Sequence, residues 1–511
     1  MRRPFWKLAL LAGLSGILGF LSFPRAEQGY LAWAALVPLL AATEAAASAR
    51  CAAGLGFLAG FLQWLGLLAW IPPVMTAYGG LPLAVAWLLE ALLASVLSVY
   101  PAAACALARW SMGLGGRKAL FIFPFAWVGL EAFRAHFILD GFPWLLAGYS
   151  QTRWLTLIQI ADFAGVYGVS FLVVWVNAAL AYALGERGRP AARWWPLGLG
   201  AAMVAGCLLY GRARLDRWSA IPKPYRVAML QGNLAFGEPR EVLEWKFGQG
   251  YLEMAGGLGD MKVDLLVLPE APAALNFQFD TDYRRAMESL ARRASLGMVL
   301  NNVHYREVLG PAHYYNSAYF LDCDGRERGR YDKIYLVPFG EYIPWRSIFF
   351  FAETVTKDVG SFTPGSEFYV AEMAGHRLNA IICFEAIFPQ LSRVFALRGS
   401  GLFVNLTNDG WYGDSAAPYQ HLQMARWRAI ENRRFLLRAT NSGITAVVEP
   451  TGRIQSATPL GQEAVCLGSF GFEYGTTFYC RRGEVFPILC AMIGCVMVVG
   501  FARRRIRLRR P

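Results

Sequence analysis

Long apolar stretches separated by short polar turns fill the first 212 residues of the chain, and one more lies near its end. Each is close to the roughly 20 apolar residues that a helix needs to cross a bilayer. The pattern predicts eight spans: Leu8–Phe23, Tyr30–Ala47, Cys51–Ile71, Leu81–Leu107, Ala119–Phe133, Leu155–Leu184, Trp195–Tyr210 and Phe486–Phe501. We therefore expect a polytopic α-helical membrane domain over residues 1–212, with about seven spans, and a last transmembrane helix with a basic tail over residues 484–511.

The middle of the chain has a different hydrophobic pattern, in which short apolar runs alternate with polar stretches of helical period. The runs predict strands at Val227–Leu230, Leu265–Leu268, Met298–Asn301, Ser317–Leu321, Ala380–Cys383, Leu402–Leu406 and Ile444–Val448. Helices are predicted at Glu241–Ala255, Asp282–Ala294 and Pro418–Glu431. Because this alternation is typical of a layered α/β fold, we expect one α/β domain over residues 224–475.

Composition and charge place the chain in a membrane. It is 56% hydrophobic and only 17% charged, which is too apolar for a soluble protein. Lys and Arg concentrate in alternate short loops and in the tail, so we expect both termini in the cytoplasm and the α/β domain on the opposite face. These loops and the tail explain much of the net charge of +13, and no groove-reading motif is present, so we expect no nucleic-acid partner.

Three apolar runs of the α/β domain end in reactive or polar groups, at Glu270, Cys383 and Asp409. Buried strands bring such ends together at one edge of a sheet, where α/β proteins place their sites. A thiol needs a nearby base or cation to become a nucleophilic thiolate, and Glu270 can be that base. Lys333 can stabilise the thiolate and an oxyanion, assisted by the backbone N–H of Phe384.

Each of these residues also has a plainer interpretation. A strand-end cysteine is most often a packed core thiol, a strand-end glutamate is usually solvated, and a single lysine is typical of a surface. No histidine lies near Glu270 or Cys383 in sequence, which argues against a Cys/His protease. The five histidines show no metal-ligand spacing, so we expect neither a metal site nor a cofactor.

The motifs around the three residues resemble those of the nitrilase, or carbon–nitrogen hydrolase, superfamily. They are Leu268-Pro-Glu270, Tyr331-Asp-Lys333 with Leu336-Val-Pro-Phe-Gly-Glu341, and Ile382-Cys-Phe-Glu385. With a membrane half in front, the chain resembles the apolipoprotein N-acyltransferase family. Further motifs that carry this resemblance are Gly141-Phe-Pro-Trp-Leu145, Gly148-Tyr-Ser-Gln151, Gln231-Gly-Asn233, Asn405-Leu-Thr-Asn-Asp-Gly-Trp-Tyr-Gly-Asp414, Gln420-His-Leu-Gln-Met-Ala-Arg426 and Arg438-Ala-Thr-Asn-Ser-Gly-Ile-Thr-Ala446.

The resemblance implies an αββα sandwich for the α/β domain, which would be periplasmic in a bacterial inner membrane. It also implies a ping-pong reaction in which Cys383 takes an acyl chain from a phospholipid and passes it to the diacylglyceryl cysteine of an apolipoprotein. Glu341 would hold Lys333 or Glu270 in position, and Glu385 would support the loop around Cys383. One chain carries every residue that this reaction needs, so we expect a monomer.

Both substrates would be lipids, so we expect aromatic side chains to open the site to the bilayer. The candidates for lipid or substrate contact are Trp144, Trp245, Trp345, Phe349, Phe350, Phe351, Trp411 and Tyr412. Core packing explains such clusters as readily, and an anchor in the membrane interface explains Trp144 equally well. The chain departs from the family at Phe384, where a tyrosine is frequent. The family also places a tryptophan soon after the Gln-Gly-Asn motif, and the stretch Leu234–Glu244 that separates the candidate Trp245 from this motif is longer than usual.

Two other functions remain open at this stage. A membrane-tethered amidase would use the same Glu270, Lys333 and Cys383, although the aromatic run Trp345–Phe351 counts against a site open to water. A transporter with an accessory outer domain would need charged groups inside the membrane half. The charged candidates there, Glu90, Glu131 and Asp162, are few and unpaired in sequence, which counts against transport.

Overall fold

The chain divides into two compact units, Met1–Leu215 together with Arg482–Pro511, and Asp216–Arg481. The computed structural model describes residues 4–137, 140–185, 190–234, 239–246, 251–257, 262–271, 275–307, 312–345 and 362–509. Within these residues the first unit is helical, and the second contains all the strands of two sheets.

The helices, in chain order, are α1 (Phe5–Leu21), α2 (Val37–Ala45), α3 (Ala49–Leu67), α4 (Ile71–Gly79), α5 (Leu83–Gly115), α6 (Ile122–His136), α7 (Leu155–Ile158), α8 (Ala161–Gly185), α9 (Pro190–Ser219), α10 (Arg240–Lys246), α11 (Leu252–Gly256), α12 (Thr281–Ala294), α13 (Pro389–Leu397), α14 (Ala417–Asn432), α15 (Phe478–Arg482) and α16 (Val485–Arg509). Helices α1–α9 and α16 build the first unit, and α10–α14 belong to the second.

Five helices among the described residues are long and apolar enough to cross a membrane, whereas the sequence predicts eight spans. They are Ala49–Leu67, Leu83–Gly115, Ala161–Gly185, Arg193–Ser219 and Val485–Arg503. The other three predicted spans fall on shorter helices. One of them is broken because a 3₁₀ turn, Gly29–Trp33, precedes α2, which begins with a proline in its first turn. A second is shortened in the same way, by a 3₁₀ turn before α6.

Helices α3 and α5 pack closely because small residues line their contact. A Cβ atom at Gly60 would lie 2.6 Å from the Pro101 side chain, and one at Gly56 would lie 2.6 Å from the Pro101 carbonyl oxygen. Without a side chain at these positions the two backbones approach each other, which is how apolar helices associate when lipid offers no hydrophobic driving force.

The strands of the second unit are β1 (Tyr225–Gln231), β2 (Leu265–Val267), β3 (Gly297–Arg306), β4 (His313–Leu321), β5 (Glu327–Asp332), β6 (Ala371–Met373), β7 (His376–Ile382), β8 (Leu402–Thr407), β9 (Phe435–Thr440), β10 (Ala446–Val448), β11 (Ile454–Ala457) and β12 (Ala464–Phe470). They form two six-stranded sheets, in the orders β12-β1-β2-β3-β4-β5 and β11-β10-β9-β8-β7-β6. Helix α12 packs on the first sheet and α14 contacts β9 of the second, which gives the expected αββα layers.

The parallel strands at the centre of each sheet determine where the site lies. Strands β1, β2 and β3 run parallel in one sheet, and β7, β8 and β9 run parallel in the other. The carboxyl ends of β2, β7 and β8 therefore carry the residues that follow the three apolar runs of the sequence. The backbone N–H of Glu270 donates to the Thr407 carbonyl across 3.4 Å, so the two sheet edges meet there.

All seven predicted strands are present, but the sequence pattern misses five others. Strand β5 has the sequence Glu-Arg-Gly-Arg-Tyr-Asp and is mostly accessible, so it lacks an apolar run. Strand β9 follows α14 after two residues. It contains the buried Arg438, whose charge interrupts the apolar run in the sequence. The predicted helix Glu241–Ala255 is described as α10 and α11, and residues 247–250 between them lie outside the described part of the chain.

Candidate active site

Glu270 lies just beyond β2, where donors from both sheets hold its carboxylate. The Asn316 side-chain amide donates to Oε1 at 2.8 Å, and the backbone N–H of Asn408 donates to Oε2 at 2.9 Å. Asn301 donates in turn to the Asn316 Oδ1 at 2.7 Å, which fixes the orientation of that amide. The carboxylate is therefore buried and held in one orientation.

Lys333 follows β5 and places a buried ammonium group between two carboxylates. Its Nζ donates to Glu341 Oε1 at 2.9 Å and lies 3.8 Å from Glu270 Oε1. Burial alone would lower the pKa of Lys333, but the charges of Glu341 and Glu270 raise it by more. The lysine is therefore a fixed positive charge beside Glu270.

Cys383 comes directly after β7 and begins a 3₁₀ turn, Cys383–Ile387. Its φ angle is +50°, a left-handed conformation that costs a non-glycine residue about 1–3 kcal/mol and persists only when the surroundings enforce it. The thiol is buried, and the charges of Glu270 and Lys333 lie close enough to shift its pKa in opposite directions. The three residues singled out from the sequence thus lie in one cluster.

The electrostatics of this cluster favour a protonated thiol on Cys383. Burial, and next the charge of Glu270, raise the pKa of Cys383. Burial also raises the pKa of Glu270, while Lys333 opposes that rise. Because Glu270 accepts bonds from two N–H donors and faces an ammonium group, it can receive the thiol proton at little cost in reorganisation.

Glu341 connects the lysine to its surroundings. It accepts from Lys333, from the Asn316 amide at 3.0 Å and from the backbone N–H of Val337 at 2.8 Å. Since Asn316 also donates to Glu270, one amide bridges the two carboxylates. Glu341 is thus placed to hold Lys333.

Glu385 is fully buried behind the nucleophile and accepts four hydrogen bonds. Its Oε1 receives the hydroxyl of Tyr331 at 2.7 Å and the N–H groups of Ile334 and Tyr335 at 2.7 and 3.2 Å. Its Oε2 receives the N–H of Ile382 at 2.8 Å. Burial raises the pKa of Glu385 to about 7. The side chain ties the end of β7 to the segment after Lys333, and so supports the loop around Cys383.

The aromatic residues proposed for lipid contact occupy different settings. Trp245 and Trp345 are 64% and 52% exposed, as a lipid contact requires. Burial, and next the nearby Cys383, raise the pKa of Tyr412, so this side chain lies near Cys383. Trp411 is half-buried beside it. Phe349, Phe350 and Phe351 lie outside the described residues.

Trp144 belongs to the helical unit and differs from these in burial. Only 1% of its surface is exposed, and its ring packs 5.4 Å from that of Trp70 and 5.9 Å from that of Phe142. A buried ring does not fit an anchor in the membrane interface, which would present the ring to lipid. Its contact with a substrate stays a prediction.

Several residues of the site have no signal in the sequence pattern. Asn316 falls in β4, three positions after the strand begins and one before the start predicted for it. Thr407 directly follows the predicted strand Leu402–Leu406, and His421 lies 38 residues after Cys383 in the sequence. In the fold, however, the His421 Nε2 is 3.1 Å from the Cys383 carbonyl oxygen. Distance along the sequence was therefore a poor guide to the absence of a histidine here.

Within the described ranges, no group of three or more His, Cys, Asp or Glu side chains is arranged to hold a metal ion. The cluster of Glu270, Lys333 and Cys383 brings together a carboxylate, an ammonium group and a thiol. Such a set of groups suits acyl transfer from an ester or amide carbonyl.

Comparison with known proteins identifies the family. Residues 15–179 match the apolipoprotein N-acyltransferase N-terminal domain, and residues 226–475 match the carbon–nitrogen hydrolase domain. An apolipoprotein N-acyltransferase of Geobacter metallireducens is 39% identical, over 97% of this chain and 95% of the relative. The chain belongs to the apolipoprotein N-acyltransferase family.

Two more family members are similar over most of their length. The apolipoprotein N-acyltransferase of Methylococcus capsulatus is 36% identical over 98% of this chain and 97% of its own. That of Shewanella oneidensis is 29% identical over 88% of each chain. The resemblance drawn from the motifs is thus confirmed. The comparisons also confirm that the chain is an acyltransferase of the nitrilase superfamily with an apolar helical domain. They favour this function over the amidase and the transporter.

Proposed function

We propose that this enzyme transfers an acyl chain from a phospholipid to the α-amine of the diacylglyceryl cysteine at the N-terminus of apolipoproteins, by way of a thioester on Cys383. The observation that carries the proposal is the buried cluster of a thiol, a carboxylate and an ammonium group, in a chain of the apolipoprotein N-acyltransferase family. No metal or cofactor is needed for this transfer.

In the first half-reaction, Glu270 takes the proton of the Cys383 thiol, and the thiolate attacks the ester carbonyl of the phospholipid. Lys333 and the backbone N–H of Phe384 stabilise the oxyanion of the tetrahedral intermediate. As the intermediate collapses, the carbon–oxygen bond of the ester breaks. Glu270 returns its proton to the leaving alkoxide, so that a lysophospholipid departs and the acyl chain stays on sulfur.

In the second half-reaction, the α-amine of the apolipoprotein attacks the thioester carbonyl, and Glu270 accepts a proton from the attacking nitrogen. The carbon–sulfur bond then breaks to give the amide. The sulfur leaves as a thiolate beside Lys333 and recovers its proton from Glu270. One carboxylate therefore serves as acid and base in alternation, and Glu341 keeps Lys333 charged and in place throughout.

The membrane arrangement belongs to the same proposal. The apolar helices fit insertion in a bacterial inner membrane. Both termini would be cytoplasmic and residues 224–475 periplasmic, with residues 1–212 and 484–511 forming the membrane part. The exposed Trp245 and Trp345, together with Phe349–Phe351, Trp411 and Tyr412, would admit the two lipids to a monomeric enzyme.

A two-substrate assay tests the function. The purified full-length protein is incubated with a phospholipid that carries a labelled acyl chain and with a synthetic diacylglyceryl-cysteine peptide. We expect the label to appear in amide linkage on the peptide and an equal amount of lysophospholipid to form. Release of ammonia from small amides, with no label on the peptide, would contradict the proposal and favour the amidase.

A further inference from the structure

A second buried charge cluster lies directly behind the nucleophile, and the proposed reaction assigns it no role. It consists of Asp409 at the end of β8, His421 on α14 and Arg438 on β9, all of them almost completely buried. The His421 Nδ1 is 2.9 Å from Asp409 Oδ1, and Arg438 Nη2 donates to Asp409 Oδ2 at 2.6 Å. Arg438 also donates to the side chain of Asn405. Three elements of the second sheet layer are thus joined by charge.

The cluster ends at one backbone group of the nucleophile. The His421 Nε2 lies 3.1 Å from the carbonyl oxygen of Cys383. A carbonyl oxygen only accepts hydrogen bonds, so Nε2 must carry a proton and donate it. Burial, and next the charge of Arg438, lower the pKa of His421, which favours a neutral ring whose one proton is on Nε2. Nδ1 then accepts from Arg438 Nη2, which lies 3.1 Å away. Burial tends to raise the pKa of Asp409, but Arg438 and His421 lower it by more, so Asp409 is the anion that holds Arg438 against the ring.

The Cys383 carbonyl shares its peptide unit with the Phe384 N–H. In a trans peptide the C=O and N–H bonds point in opposite directions. A hydrogen bond that fixes the carbonyl towards the protein interior therefore directs the N–H the other way, to the side from which the reacting carbonyl arrives. A hydrogen bond to the carbonyl oxygen also polarises the peptide and makes its N–H a stronger donor.

We infer that His421, held by Asp409 and Arg438, is a positioning residue that orients and polarises the Cys383–Phe384 peptide as the oxyanion donor of the site. The inference rests on the proposed function, in which the Phe384 N–H stabilises the tetrahedral intermediate. The same bond helps to hold Cys383 in its left-handed conformation, with φ of +50°, because it fixes the peptide that follows this residue.

The test separates the oxyanion from the thiol. Acylation of Cys383 by a phospholipid passes through an oxyanion, whereas alkylation of the same sulfur by iodoacetamide does not. Both rates are measured on the full-length protein by mass spectrometry of the Cys383 peptide, which excludes signals from the other cysteines. The variants are His421→Met, which cannot donate, and His421→Gln, which has a similar length and an N–H donor.

We expect His421→Met to slow acylation by about 30- to 100-fold. This is at or below the effect of removing an oxyanion donor outright, which is about 10²- to 10³-fold. Alkylation should change by less than about threefold, because the thiol and Glu270 are untouched. His421→Gln should recover most of the acylation rate, since its amide N–H can reach the same carbonyl oxygen. A parallel fall of both rates in His421→Met, or unchanged acylation, would overturn the inference.

If His421→Met does not fold, Asp409→Asn carries the test, because it keeps the shape and removes the charge that holds Arg438 against the ring. We expect slower acylation with normal alkylation, and equal effects on both rates would overturn the inference. The failure of the proposed function looks different. A wild-type protein that is alkylated normally but never acylated would end the proposed function and the inference with it, whereas unaltered acylation in the variants ends the inference alone.

Discussion

Both units of the molecule bury carboxylates, and the surroundings of Glu90 in the helical unit differ from those of the carboxylates at the candidate active site. In the α/β unit, Glu270, Glu341 and Glu385 each accept hydrogen bonds from two or more named donors. In the helical unit, Glu90 of α5 is fully buried, yet neither of its carboxylate oxygens has a hydrogen-bond partner within the described residues. Burial alone therefore does not identify a candidate catalytic carboxylate. Donors alone do not either, because the buried Glu131 of the helical unit accepts from Trp127 and from the backbone N–H of Ala147. What sets Glu270 apart is a thiol and an ammonium group beside its bonded carboxylate.

The presence or absence of hydrogen-bond donors also decides whether a buried carboxylate is held in place or reduces stability. A buried polar group without partners reduces stability, whereas a buried group that is fully bonded is held in one geometry. The donors to Glu270 come from both sheets, so the fold itself fixes the base relative to Cys383. If this comparison is right, equal substitutions in the two units should have very unequal effects on acyl transfer.

The largest effect should come from Lys333→Met. It removes the cation between Glu270 and Glu341 and leaves two buried negative charges facing each other. We expect the acylation rate to fall by at least about 10³-fold, because charge stabilisation of both the thiolate and the oxyanion is lost. Breaking a buried ion pair also costs about 3–5 kcal/mol of stability. Single-turnover acylation and thermal unfolding check the two expectations, and a variant that is stable and active would refute the role of the lysine.

Glu270→Gln should cost somewhat less. The amide can still accept from Asn316 or Asn408, so the fold should survive, but it cannot take the thiol proton. We expect thioester formation to slow by about 10²- to 10³-fold, as is usual for loss of a general base. Single-turnover rates measure it. Normal acyl-enzyme formation in this variant would mean that another group activates Cys383.

Glu341→Gln should have a moderate effect and a distinct pH signature. We expect about a tenfold loss, below the roughly 10²-fold that misplacing a reacting group can cost. Acylation requires Glu270 as the carboxylate, so the rate falls as pH drops through the pKa of that group. Burial, and to a smaller degree the charge of Glu341, raise this pKa.

Removing the charge of Glu341 therefore lowers the pKa of Glu270, and the acid limb of the rate profile should move to lower pH. The pH dependence of single-turnover acylation, recorded for the variant and the wild type, measures this shift. An acid limb that stays in place or moves to higher pH would assign it to a group other than Glu270.

The smallest effect should come from Glu90→Gln, which is the matched control for Glu270→Gln. The substitution is the same, but the carboxylate it replaces has no hydrogen-bond partner within the described residues. We expect acylation within about twofold of wild type and unchanged or greater stability, since a neutral amide is cheaper to bury than a charge. A large loss of acyl transfer would show that this buried carboxylate has a function too.

The sequence predicts an α/β domain and singles out Glu270 and Cys383 because each leaves a local trace, whereas Lys333 alone is typical of a surface residue and was supported by the family motifs. Glu270 and Cys383 end apolar runs, and a buried central strand needs such a run whatever the rest of the chain does. Strands at the edges leave no such trace, and β5 with its charged residues is an example. Hydropathy also does not register where a 3₁₀ turn interrupts a helix, so two of the eight predicted spans are shorter helices in the structure.

The partners of the reactive residues could not be predicted because they depend on contacts between distant segments. Asn316 bridges Glu270 and Glu341 from a strand in the first sheet, and His421 reaches Cys383 from a helix on the second. Neither residue type is unusual in its local sequence, and only the meeting of the two sheet edges gives it a role. The motif Gln420–Arg426 includes His421 by resemblance, without indicating what it contacts, and Asn316 lies in none of the motifs.

The most direct test of the central claim is the mass of the peptide that contains Cys383. The protein is incubated with phospholipid alone, digested and analysed, and the experiment is repeated after a diacylglyceryl-cysteine peptide is added. We predict an acyl adduct on Cys383 that forms without the acceptor, disappears when the acceptor is added in step with N-acylated product, and is absent from Cys383→Ala. Product formation by Cys383→Ala, or an adduct that the acceptor does not consume, would contradict the account.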